Sequence, residues 1–178
     1  ILTVVVSVFN EEEALPLCRE RLTEVLERSG SPYALLFVND GSSDRSAELL
    51  DRFAAEDARI RVLHFSRNFG HEAAMIAGID YAEGNVICMD ADLQHPPQCI
   101  PEIIRALDEG FDVISMVRTA NRSAGLLKNI ASAGFYGVMN ALSGTKFEKN
   151  ASDFFGISAR AAEVLRHDYR ERVRFLRG

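Results

Sequence analysis

Two carboxylates one residue apart, in Asp90-Ala91-Asp92-Leu93-Gln94, follow directly on the apolar run Val86-Ile87-Cys88-Met89. Such a run reads as a buried parallel strand, which puts both acids at its carboxyl end, where open α/β sheets bind their ligands. Hard oxygen donors at that spacing, with the Gln94 amide oxygen two residues on, suit a Mg²⁺ or Mn²⁺ that also holds a diphosphate. The plainer alternative is that Asp90 caps a turn and Asp92 starts the helix announced by Pro96-Pro97. Other strand ends have to decide between the two.

Val8–Glu11 and Val38-Asn39-Asp40-Gly41 supply those ends. An Asp after the second strand can accept from a base or a ribose, Gly41 would let backbone approach the ligand, and a metal would neutralise a departing diphosphate. Together the three ends describe a nucleotide-sugar site. Other phosphate devices are missing. No Gly-x-Gly-x-x-Gly follows the first strand, where Asn10-Glu11-Glu12-Glu13 would repel a pyrophosphate, and no Gly-x-x-x-x-Gly-Lys-Ser/Thr occurs. A receiver-like signalling domain, the non-enzyme alternative, calls for an isolated phosphoacceptor Asp and a Lys ending the fifth strand; here Arg118 holds that place and the acids are paired.

The elements that must position these residues are legible as an alternation. Strand-like runs at Leu2–Phe9, Ala34–Val38, Ile60–Phe65, Val86–Met89 and Val113–Val117 alternate with helical patterns at Ala14–Ser29, Arg45–Ala55, Glu72–Ala82 and Cys99–Glu109. That predicts an α/β fold with a mostly parallel, Rossmann-like sheet, helices on both faces and right-handed crossovers. Asn10 and Asp44 are the expected N-caps of the first two helices. After Val117 the alternation stops: Leu126, Leu127, Ile130, Phe135, Val138, Met139 and Leu142 recur at near-helical spacing, Ala151–Ile157 reads as a further strand and Ala159–Arg166 as a short helix.

At 178 residues and 47% hydrophobic, the chain reads as a single domain, residues 1–178. Its charge is divided. Residues 1–117 carry 9 Lys/Arg against 21 Asp/Glu, a balance of −12, and residues 118–178 carry 11 against 5, a balance of +6. An acidic first part argues against nucleic acid, and the basic part is left for phosphates or anionic lipid. Cys18, Cys88 and Cys99 have no Cys-x-x-Cys spacing and read as reduced packing residues. No run approaches the roughly 20 apolar residues of a membrane span, and an anchor beyond Gly178 stays open.

Val4-Val5-Val6-Ser7-Val8-Phe9-Asn10-Glu11-Glu12, Val38-Asn39-Asp40-Gly41-Ser42-Ser43-Asp44, Arg67-Asn68-Phe69-Gly70, Met89-Asp90-Ala91-Asp92-Leu93-Gln94-His95-Pro96-Pro97 and Arg174-Phe175-Leu176-Arg177-Gly178 together resemble the family 2 glycosyltransferases of the GT-A fold. The strongest likeness is to the bacterial polyprenyl-phosphate glycosyltransferases, related to dolichyl-phosphate mannose synthases. The resemblance implies nucleoside binding by Ser7, Phe9, Glu11, Val38 and Asp40, and a diphosphate and metal motif at Asp90, Ala91 and Asp92 with Gln94 as third ligand. It implies a basic Arg118 facing donor and acceptor phosphates, Lys128 and Ser132 on the acceptor phosphate from one helical face, and Asp153 beside the transferred sugar. The family usually has Pro at the place of Ser7, Tyr at that of Phe9 and often Asp at that of Asn39, which loosens the nucleoside assignment.

The expected reaction is inverting transfer of a hexose from a nucleotide diphosphate sugar, UDP-hexose favoured over GDP-mannose, to a membrane polyprenyl phosphate at the cytoplasmic membrane face. A phosphate monoester with a second pKa of about 6 is already an anionic nucleophile at neutral pH, so a site poor in histidine suffices. Asp153 would orient a sugar hydroxyl or act as base, with orientation weighted higher; a strand-end cap is its plain reading. His95 reads as a turn residue, and His64, His71 and His167 are assigned no role. Arg67 and Asn68 either reach the site or tie down their own loop. The extra helix either packs on the domain or lies in the membrane interface beside Arg118, Arg122 and Lys128, and the basic run Arg166, Arg170, Arg172, Arg174 and Arg177 would then face lipid head groups. A family 2 enzyme with a soluble glycan or protein acceptor is the rival, and a homo-oligomer is left open.

Overall fold

The computed structural model describes residues 1–117 and 151–168. The expected amphipathic helix, Arg118, Arg122, Lys128, Ser132 and the arginines from Arg170 onward lie outside the described residues. Among the described residues, six strands form one sheet in the order β3-β2-β1-β4-β6-β5: β1 Leu2–Val8, β2 Tyr33–Asn39, β3 Ile60–His64, β4 Asn85–Asp90, β5 Val113–Val117 and β6 Ala151–Ile157. β1 runs parallel to β2 and β4, and β2 to β3. β6 enters antiparallel between β4 and β5. The α/β expectation holds, and the predicted strand at Ala151–Ile157 is the one that breaks the parallel pattern.

Side chains alternate between the two faces of each strand. Val4, Val6 and Val8 of β1 join Leu35 and Phe37 of β2 and Ile87 and Met89 of β4 on one face, under α1 (Leu15–Ser29), α2 (Ser46–Glu56) and α4 (Ile100–Asp108). Leu15, Cys18, Leu22 and Leu26 are the buried stripe of α1, at the three- and four-residue spacing of a helix face. Val5, Leu36, Val38, Val86 and Cys88 form the other face, under α3 (His71–Tyr81) and α5 (Ala159–His167). α3 lies so close to β1 that a Cβ on Gly78 would fall 2.1 Å from Val5 Cγ1.

Two expectations about helix starts are corrected or refined. Asn10 does not cap α1: it sits at φ +56°, the helix begins at Leu15, and its side-chain oxygen instead accepts from Ser43 N–H at 2.8 Å. The residue is used to bind the β1 loop to the β2 loop, which Ser42 Oγ on Asn10 N–H and Asp44 Oδ2 on Glu12 N–H reinforce. Asp44 does serve α2, accepting from Ser46 N–H at 2.9 Å, one residue ahead of the helix's own boundary residue Arg45.

Candidate active site

Ser7 and Asp90 are register partners at the carboxyl ends of the central strands β1 and β4. Each stands two residues beyond a member of the α3-side cluster, Val5 and Cys88, so both share that face. β6 pairs Phe155 with Cys88, and continuing that antiparallel register brings Asp153 opposite Asp90 on the same face. α3 begins directly above them with His71. The Ser7 hydroxyl donates to Asp90 Oδ1 at 2.6 Å, His71 Nδ1 lies 3.2 Å from Ser7 Oγ and 3.3 Å from Asp90 Oδ1, and His71 Nε2 faces Asp153 Oδ2 at 3.8 Å. Among the described residues, His71, Asp90 and Asp153 are the group whose ligand atoms gather within 4.8 Å of one another.

On the other side of the strand tips lies a second concentration of acid. Glu11 has its carboxyl pushed above the ordinary 4.5 by burial and then by the negative charges of Asp92, Asp44 and Asp90. Asp92 also reaches Cys18 on α1, whose thiol is pushed up to about 12 by burial first and then by Asp92 and Glu11. Cys88 is likewise raised by burial, and all three cysteines are free thiols, two of them fully buried. They pack; they do not react. Asp92 Oδ1 accepts from Gln94 N–H at 2.9 Å, a local turn that throws Leu93 to φ +61°. A non-glycine residue held there is strain of the kind that clusters at ligand sites.

A pocket beside Asp90 is lined by Ser7, Phe9, Asp40, Asn68 and His71 among others, which brings together Ser7, Phe9 and Asp40 of the expected nucleoside set, while Glu11 and Val38 are not among its lining residues. Phe9 is exposed at its rim. Asp40 is buried and its two oxygens accept from Phe69 N–H at 2.7 Å and Gly70 N–H at 3.0 Å, which ties the β3–α3 loop to the end of β2. Gly41 is not opened toward a ligand as the sequence led us to expect. It stands at φ +67°, and a Cβ there would meet Arg67 carbonyl carbon at 2.3 Å, so the missing side chain makes room for the chain's own loop. Val38 and Ala91 have core side chains, which leaves only their backbones for a ligand. Arg67 stacks its guanidinium on Phe69, 4.7 Å from the ring centroid. His95 is buried, stacks on Phe154 and accepts from Asp90 N–H at 3.3 Å, so it props the Asp90 backbone.

His71 is the site residue that sequence reading missed. A signal existed in its position, directly after Gly70 at a helix start, but its partners come from β1, β4 and β6, and only strand order brings these together.

Residues 3–165 match the family model described as Glycosyl transferase family 2. The chain belongs to glycosyl transferase family 2. It is 36% identical over 166 residues to the prophage bactoprenol glucosyl transferase homolog of Escherichia coli, covering 93% of this chain and 54% of that protein. It is 43% identical over 132 residues to the undecaprenyl-phosphate 4-deoxy-4-formamido-L-arabinose transferase of Pectobacterium carotovorum, covering 73% and 40%. This family 2 chain therefore spans about half the length of the curated relatives it matches. Among solved structures, the mannosyltransferase PcManGT of Pyrobaculum calidifontis, in complex with GDP-Man and Mn²⁺, superposes with a TM-score of 0.59 at 19% identity, over 92% of this chain and 46% of that one. The fold is GT-A. Among the described residues, no helix is long and apolar enough to cross a membrane.

Proposed function

We propose that this family 2 glycosyltransferase transfers a hexose, with inversion, from a nucleotide diphosphate sugar to the phosphate of a membrane polyprenol at the cytoplasmic membrane face. The observation that carries the reading is the opposition of Asp90 on β4 and Asp153 on β6 at adjoining strand tips, with the nucleoside pocket to one side. One carboxylate is on the donor side, and the other stands where an incoming acceptor would meet the sugar. The relatives named for bactoprenol and undecaprenyl phosphate support the lipid acceptor. UDP-hexose is favoured over GDP-mannose on the sequence resemblance.

The carboxylates fit a hard divalent cation. Glu11, Asp90 and Asp92 offer oxygen donors, and the Glu11 carboxyl is raised by burial first and then by the charges of Asp92, Asp44 and Asp90, which a cation would balance. Mg²⁺ or Mn²⁺ held there by Asp90 and Asp92, with Gln94 as third donor, would supply neutralisation of the departing diphosphate. The chain's own residues do the rest. Ser7 holds Asp90 in place, Phe9 offers its exposed ring to the base, and Asp40 fixes the loop that walls the pocket. Asp153 orients a sugar hydroxyl, because an acceptor phosphate that is already anionic needs little general base. Arg118, Lys128 and Ser132 are assigned to the acceptor phosphate.

An assay pairing several nucleotide sugars with a short polyprenyl phosphate, with and without chelator, tests the proposal. Transfer to the lipid phosphate that chelator abolishes and that Asp92→Asn removes without unfolding is expected. A better soluble glycan or protein acceptor, with Lys128→Ala leaving lipid-phosphate kinetics untouched, would install the rival family 2 reading.

A further inference from the structure

We propose that His71 is a positioning residue: its imidazole fills the gap between Asp90 and Asp153, one ring nitrogen toward each, and sets the spacing of the two carboxylates instead of ligating the cation itself. The inference rests on the functional reading above, in which the two acids serve opposite sides of the transfer. Three residues of very different sequence position could also be read as one metal site, since their ligand atoms lie within 4.8 Å of one another. The individual distances argue otherwise. Nδ1 is the nitrogen at Asp90, 3.3 Å from Oδ1, whereas Nε2 is the nitrogen at Asp153, 3.8 Å from Oδ2. The two nitrogens of one imidazole diverge, so a cation held at one of them would leave the carboxylate at the other without that ion, whereas the ring itself reaches both. The ring lies between the two carboxylates, one nitrogen toward each.

Its orientation is fixed from several directions. Ser7 Oγ lies 3.2 Å from Nδ1 while its hydroxyl donates to the same Asp90 oxygen, so Ser7, His71 and Asp90 form a closed triangle. The backbone is fixed as well, because Gly70 N–H is held by Asp40 Oδ2 and Gly78 seats α3 against Val5. A ring held at Nδ1 by two groups of β1 and β4 has its far nitrogen aimed at β6. The cation is left to the other side of Asp90, where Glu11 and Asp92 bring oxygen donors and where the buried His95, 3.8 Å from Asp90 Oδ2, has its Nδ1 taken up by the Asp90 N–H. His71 therefore separates two functions: it keeps Asp90 turned for the diphosphate and Asp153 turned for the sugar.

The test uses the full-length protein and has arms that need no substrate. In metal-free protein labelled with ¹⁵N-histidine, Asp153→Asn should move the His71 Nε2 resonance and Ser7→Ala the Nδ1 resonance; if neither moves, the bridge does not exist. In Mn²⁺-loaded protein, pulsed EPR should show no coupling to a directly bound imidazole nitrogen, and a coupling that His71→Ala removes would overturn the proposal by making His71 a ligand. Failure of Mn²⁺ to bind at all would sink the metal part of the functional reading, leaving the ring resonances to decide the bridge alone. With UDP-glucose and a short polyprenyl phosphate, His71→Ala should lower kcat about 10–100-fold, the range seen for partners that orient a functional group, with the donor KM within about threefold. His71→Gln should recover part of that loss and serves as the variant of choice if the alanine form folds poorly. In a double-mutant cycle, His71→Ala should cost little once Asp153→Asn is present. Additive losses would mean that His71 does not act through Asp153.

Discussion

Ser7 Oγ donates a 2.6 Å hydrogen bond to Asp90 Oδ1 across the β1–β4 pair, joining a pocket-lining residue to the acid that opens the Asp-x-Asp motif. The resemblance places proline at this position in most of the family, and proline has no hydroxyl to give. A hydrogen bond to a charged group contributes about 1.5–3 kcal/mol. Ser7→Ala is therefore expected to lower Mn²⁺-dependent transfer about tenfold or more while leaving the melting temperature nearly unchanged, because the core side chains of β1 stay in place. Steady-state kinetics beside calorimetry would check it, and full activity would show that Asp90 is held well enough by other groups.

Asp40 makes a different prediction from that of a plain ligand. Both its oxygens accept loop N–H groups in a buried setting, so Asp40→Ala strands two donors at about 1–3 kcal/mol each. Stability and nucleotide affinity should fall together, and Asp40→Asn, which keeps one acceptor, should fall between. Thermal melts and nucleotide titration on the same samples would separate this from a pure binding defect, in which affinity alone drops.

How much of this was legible in the sequence depended on range. The alternation of five strands with four helices and the buried stripe of α1 are local patterns, and the structure returns them within a residue or two at each end. The Ser7–Asp90 and His71–Asp153 neighbourhoods are products of strand order, which periodicity does not encode; β6 in particular reads as a strand from Ala151–Ile157 but not as one inserted between β4 and β5. Asn10 misled because Asn before three glutamates resembles a cap, while its left-handed backbone and its bond to Ser43 are tertiary facts. Gly41 was expected to let backbone approach a ligand, and what comes close is Arg67.

Gly41→Ala follows from that contact. The new Cβ would press on backbone atoms of Arg67 and Asn68 at 2.3–2.7 Å, and φ +67° adds strain of its own. The loop that walls the pocket must shift, so nucleotide affinity should drop at least tenfold and the protein should lose more than about 1 kcal/mol of stability. Unchanged binding would mean that the Arg67–Asn68 segment is not part of the nucleoside wall.

Glu11 ties stability to pH and to the cation. Its carboxyl is raised above 4.5, by burial first and by Asp92, Asp44 and Asp90 after it, so the folded metal-free protein holds a proton that the unfolded chain releases earlier. The sign follows: this group's contribution is fully present below the ordinary carboxylate value and is lost as pH rises through the raised one. Glu11→Gln should raise the melting temperature of metal-free protein at neutral pH and weaken Mn²⁺ binding. In the native protein, Mn²⁺ affinity should begin to fall on acidification at a pH above the ordinary glutamate value, since proton and cation compete for the same oxygens. Melting curves against pH, with and without Mn²⁺, would check both; a cation that leaves the Glu11-dependent part of the curve unmoved would place the metal elsewhere.

Arg166 was grouped by sequence with a basic run facing lipid, and the structure corrects that grouping. Its side chain is only 12% exposed, donating from Nε to Ile79 O at 2.9 Å and from a terminal nitrogen to Ala82 O at 2.7 Å while pairing with Glu163. Those carbonyls are at the carboxyl end of α3, where helix acceptors lack intrahelical donors and positive charge is favoured. Arg166 is thus the fastening between α5 and the helix whose first residue is His71. Arg166→Ala should destabilise by about 2 kcal/mol, a melting-temperature drop of about 4–8 °C for a chain of this size. Arg166→Lys should fall nearly as far, because one ammonium cannot reproduce the guanidinium fork that serves two carbonyls. Neither variant, while folded, should change sedimentation with anionic vesicles, whereas loss of vesicle binding by the lysine variant or by a stable alanine variant would return Arg166 to the membrane face.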